Sequence, residues 1–119
     1  MNKKQIEVSV TTGKPYGHVP GHYYHDVEVS IERKATGRWV VDVLETWGNC
    51  QGHDEEHGRT HIIGRGPTLD AATDRAIQLA GAANINQEYL VQSLSQAASE
   101  AEEVLETEQE AGVVIPCQT

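Results

Sequence analysis

Residues 61–84, "HIIGRGPTLDAATDRAIQLAGAAN", change hydrophobic period part-way along, and that change decides the fold class. Up to Gly66 the stretch "RTHIIGRG" is short and β-branched, the composition of a strand. Beyond Pro67 the period lengthens, and Leu69, Ala72, Ala76, Leu79, Ala80 and Ala83 fall on one helical face. Thr68 is placed to cap that helix, Asp70 favours the positive end of its dipole, and its alanines let it lie close on a sheet. A strand that hands over to an Ala-rich helix in this way predicts an α+β domain.

Upstream of this junction, apolar residues alternate at Ile6, Val8 and Val10, at Val27, Val29 and Ile31, and at Trp39, Val41 and Val43. Thr36 and Gly37 supply a hairpin turn between the second and third runs, and Val40 with Leu44 on the opposite face predict a central third strand. The expectation is a four-stranded antiparallel sheet over residues 1–66, interrupted by a Gly/Pro-rich loop at 13–24. Downstream of the helix at 67–84, Leu90, Leu94, Ala97, Ala101 and Val104 recur at spacings of four and three. They predict a second amphipathic helix over 86–110 that packs on the sheet or pairs subunits. The tail "GVVIPCQT" within 111–119 is apolar and strand-like, able to join a sheet edge. All 119 residues are expected in one domain.

Charge is distributed unevenly. Of the net −9, residues 1–85 contribute −2 (11 acidic, 9 basic) and residues 86–119 contribute −7 (7 acidic, none basic). Hydrophobic residues make up 38% with no Phe, so the core is lean, with Trp39, Trp47 and four tyrosines as its bulky side chains. No run has the length of a membrane span and the N-terminal residues lack the apolar stretch of a signal peptide, so a cytoplasmic protein is expected. Cys50 and Cys117 are read as free thiols.

Three sets of residues are candidates for chemistry. The first is metal: in "NCQGHDEEHGRTH", residues 49–61, Cys50, His53, His57 and His61 offer donors that suit zinc. The segment "HDEEH" formally matches the inverted zincin pattern, but Gly52 and Gly58 bracket only five residues, too few for a stable helix. The bland expectation is a solvated acidic hairpin loop with surface histidines and no cofactor, zinc being the alternative; His25 and His61, at strand positions, are read as partly buried and hydrogen-bonded. The second is an anion: Gly64, Arg65, Gly66 and Thr68 precede a helix N-terminus, and Lys14, Tyr16, Tyr23 and Tyr24 from the glycine-rich loop could complete a site for a phosphorylated small molecule or nucleotide. The third is a partner surface: Glu100, Glu102, Glu103, Glu106, Glu108 and Glu110 crowd the end of the second helix, where the dipole already disfavours anions.

Gly64, Gly66, Thr68, Ala72 and Ala76 also resemble the end of a double-stranded-RNA-binding domain, in which three antiparallel strands lead through Gly-x-Gly-x-Ser/Thr into a helix with alanines against the sheet. The likeness spans about residues 24–83. It implies a similar layered fold and no RNA binding, because Leu69, Asp70 and Ala72 stand where that family carries phosphate-gripping lysines, and a strand replaces its leading helix. The net charge likewise opposes direct nucleic-acid binding. The leading expectation is a non-enzymatic binding protein, a homo-oligomer that engages a basic partner through its acidic helix. The alternatives are an oligomeric binder of an anionic small molecule and a metal-binding protein.

Overall fold

The structure, a computed structural model, describes residues 5–14, 22–50 and 56–117, with side chains described for 5–13, 24–48 and 57–108. Strands β1 (Ile6–Lys14), β2 (His22–Arg33), β3 (Trp39–Cys50) and β4 (Glu56–Gly66) form one antiparallel sheet in the order of the chain, followed by helices α1 (Leu69–Ala82) and α2 (Gln87–Cys117). The fold is therefore α+β, as the change of period predicts. Register aligns the alternating residues in rows: Val10, Val29, Val43 and Ile62 in one, and Val8, Ile31, Val41 and Gly64 in the next. Because side chains alternate, these rows share one face, which buries Val27, Val29, Ile31, Val41 and Val43 completely. Both helices cover that face, α1 over β4 and β3, α2 over β1 and β2.

The fit of α1 depends on missing side chains. A Cβ on Gly64 would lie 2.5 Å from the Ala72 carbonyl oxygen and from the Ala76 nitrogen, and one on Gly66 would lie 2.8 Å from the Ala72 nitrogen. Ala72, Ala76 and Ala80 are fully buried against this strip. Helix and strand backbones thus nearly touch, which gives dense packing from small residues and explains how a chain without Phe builds a core here.

The corner between the helices is a Schellman turn. Ile85 N donates to Ala80 O at 3.0 Å and Asn84 N to Gly81 O at 3.2 Å, with Asn84 in the left-handed region at φ 61°. Ile85 and Ala80 are both buried beneath it, the hydrophobic contact that accompanies such turns. Asn86 then caps α2, its Oδ1 accepting from Tyr89 N at 2.9 Å. Along α2, Leu90, Leu94, Ala97 and Ala101 are buried on the sheet, so four of the five seam residues pack within the chain while Val104 stays exposed. The Ser93 hydroxyl donates to the Val27 carbonyl at 2.7 Å, tying the middle of α2 to β2.

Two boundaries differ from the sequence expectation. The hairpin arms are longer: Gly13 and Lys14 pair with Asp26 and His25, and His22 pairs with Cys50, so strand structure enters the expected 13–24 loop. Aromatic cover sustains the outer ends of the arms, Tyr24 lying over Gly48 and Trp47 over Gly58. Residues 111–117, expected as a strand-like tail, continue α2 to Cys117. Extending a formed helix costs less than starting a new element.

Candidate functional site

The acidic residues of α2 do not behave alike. Glu108 faces the sheet, where Arg33 donates from Nη2 to Oε2 at 2.7 Å and from Nη1 to Oε1 at 3.2 Å. That guanidinium is buried and its Cζ sits 5.8 Å from the Trp39 ring centroid, so the β2 end supplies a desolvated cation that fixes Glu108 by a two-pronged bond. Glu102, Glu103 and Glu106 point to solvent, and Glu100 is half-buried. Among the described residues none of these four has a cationic partner. Glu100 and Glu103 line a groove with Glu7, Val8 and Val104 along the edge of β1. Glu7 also lines a trough on the helix-free face of the sheet, with Glu28, Glu32, Asp42 and Arg59; there Glu32 is paired with Lys34 at 2.9 Å. The carboxylates therefore continue from α2 around the β1 edge. The side chain of Glu110 lies outside the described residues.

The two halves of the expected anion site lie apart. Gly64 and Gly66 are strand residues that face α1, and their role is the close helix contact already given. Arg65, between them, points to the opposite face, away from the α1 N-terminus, and is exposed. Thr68 caps α1, its hydroxyl accepting from Ala71 N at 3.1 Å. Tyr24 and Lys14 belong to the other end of the sheet: Gly64 stands in the row of Ile31 and Lys14 in the row of His25, six residues along β2, about 20 Å. Tyr16 lies outside the described residues, as do the side chains of Lys14 and Tyr23.

The histidine cluster is likewise opened out by the strands. His61 sits on β4 as expected, and His57 joins it there rather than lying in a hairpin loop, because alternation and cross-strand pairing carry the ladder out to Glu56. Four residues of strand separate them by about 13 Å, whereas ligands of one zinc ion converge at about 2 Å from it. His61 instead meets Asp42, Nε2 to Oδ1 at 2.6 Å, across the outer face. His53 and the side chain of Cys50 lie outside the described residues, and among the described residues no three His, Cys, Asp or Glu side chains are grouped to hold a metal.

A recess that sequence reasoning missed lies where the helix corner meets the ends of β2 and β3. His25, Glu45, Trp47, Asn84 and Asn86 line it, and it is a shallow hollow, open to solvent, of about 400 Å³. Glu45 occupies the same face as Val41 and Val43, and so is buried. Its Oε2 is bonded to His25 Nε2 at 2.9 Å and accepts from Asn86 N at 2.8 Å. The imidazole is set edge-on against Tyr89, centroids 5.3 Å apart at 90°. Period-two counting from Val43 and Val27 places Glu45 and His25 on the core face, the signal by which both could be found.

Comparison of the chain with protein-family models, with curated proteins and with solved structures finds no match. No helix among the described residues is long and apolar enough to cross a membrane.

Proposed function

We propose that this chain is a non-enzymatic binding protein that engages a basic partner protein through the acidic flank of α2. The observation that carries the reading is the contrast within one helix: the glutamate that meets the sheet is neutralised by a buried arginine, while Glu100, Glu102, Glu103 and Glu106 have no cation opposite them among the described residues. With α2 running on to Cys117 these glutamates stand well before its end, clear of the dipole that a helix ending at 110 would have set against them, and the cost is their mutual repulsion at spacings of three and four, a few tenths of a kcal/mol (~0.2–0.5) per pair. Nothing within the described chain offsets that cost, and a partner's lysines and arginines would. Continuity with Glu7 and Glu28 around the β1 edge gives such a partner more than a point contact.

A test uses a lysine- and arginine-rich peptide as probe and compares the native chain with the Glu100→Gln, Glu102→Gln, Glu103→Gln, Glu106→Gln variant by titration calorimetry. The native chain binds, weakens steeply as salt rises from about 50 to about 300 mM and the Debye length falls from roughly 14 to roughly 6 Å, and loses about tenfold in affinity in the variant. Because the substitutions relieve repulsion, the variant's thermal midpoint is expected to be unchanged or higher. Equal affinity of the two proteins at low salt would overturn the proposal.

A further inference from the structure

Glu45 carries more than the helix corner requires. Both of its hydrogen bonds converge on Oε2, and Oε1 has no partner among the described residues, although the side chain is only 10% exposed. A carboxylate oxygen held that deep has lost most of its water, and an N–H donor that reaches it gains more than at an open surface. The walls beside it are those that suit a planar cation. Trp47 lies half-buried across Gly58 and presents an indole, and Asn84, whose side chain carries a carboxamide, stands exposed at the rim. Among the described residues no lysine or arginine lines the recess.

We propose that this recess binds a guanidinium group, supplied by an arginine side chain of a peptide or by a free guanidino compound. Guanidinium matches the surroundings better than ammonium. It is flat enough to stack on the indole while its edge directs separate N–H groups to Glu45 Oε1 and to Asn84, and it is more weakly hydrated than an ammonium, so entry costs less. His25 contributes by holding the other carboxylate oxygen, which leaves Oε1 as the open acceptor. The Schellman turn contributes by fixing Asn84 at the rim, so that acceptor and carboxylate are preorganised by the corner rather than brought together on binding. The recess lies about 20 Å along α2 from Glu100, and this binding is independent of the acidic flank.

The experiment is a ¹⁵N–¹H correlation titration of the whole chain at constant ionic strength with three probes: a blocked Gly-Arg-Gly peptide, agmatine, and the same peptide with citrulline for arginine. Saturable shifts of the Trp47 indole N–H and the Asn86 amide are expected with the first two probes and not with the citrulline peptide, which has the shape without the charge. Tighter binding of the peptide assigns the group to a protein ligand, and tighter binding of agmatine to a small molecule. Glu45→Gln is expected to weaken binding about tenfold. If that variant disturbs the corner, Asn84→Gly decides, since glycine keeps the left-handed backbone while removing the carboxamide; there the loss is expected to be about fivefold. The proposal is overturned if neither guanidino probe shifts Trp47, if the citrulline peptide shifts it equally, or if Asn84→Gly binds as the native chain does.

Discussion

At Gly64 a methyl group would press on the α1 backbone itself, on Ala72 O and Ala76 N, neither of which can move without shifting the helix. Gly64→Ala is accordingly expected to lower unfolding free energy by about 1–3 kcal/mol in urea denaturation. Gly81, opposite nothing within 4 Å, gives the converse: Gly81→Ala adds a methyl in open space inside a helix and is expected to raise stability by about 0.5–1 kcal/mol. The same local letter G thus has opposite meanings. Its meaning at 64 was not legible in "GRGPT", which invites a phosphate-loop reading because a flexible turn and a close helix contact ask for the same residue. The histidines mislead in a related way. A spacing of four joins side chains on a helix and separates them on a strand, so 57 and 61 could be judged only with the boundary of β4 in hand.

Among elements, α2 was the more legible in extent of hydrophobic face and the less legible in its fastenings. Spacing of Leu90, Leu94, Ala97 and Ala101 shows which side is buried, but not that the sheet rather than a second subunit buries it. The polar ties were invisible because their partners are distant in sequence: Asn86 to Glu45 across 41 residues, Ser93 to Val27 across 66, Glu108 to Arg33 across 75. Of these, the Arg33 pair governs the far end. Glu108→Gln leaves a buried guanidinium with a neutral acceptor, so a loss of about 1–3 kcal/mol is expected, concentrated locally. Hydrogen exchange should report it as faster exchange after Leu105, with Leu90 to Ala97 unchanged; uniform acceleration along α2 would contradict this assignment.

For the molecule as a whole, four long strands and a 31-residue helix make an elongated body. The Cα radius of gyration is 17.8 Å and the long axis 69 Å, against a radius of about 13–14 Å for a compact chain of this length. Small-angle scattering of the dilute chain is expected to give a value near 17.8 Å, and one near the compact figure would mean that α2 does not project. The sequence foretold the layers, since period and order alone place an antiparallel meander under helices. It foretold the segregation of charge as well, which is a sum over residues and needs no coordinates. Shape was out of reach, because it depends on where pairing stops at Lys14, Cys50 and Glu56, and the residues there are not distinguished by composition.

The near-contact of α1 with β4 also constrains how this chain can drift. Positions 72 and 76 have no spare volume, and enlarging one of them would demand a simultaneous shift of a whole helix, so single changes there are closed routes. Asp74, Arg75 and Gln78, one step around the same helix, face water and are free to wander. Descendants of this sequence should therefore keep a rhythm of glycine and alanine long after the letters between them have been rewritten.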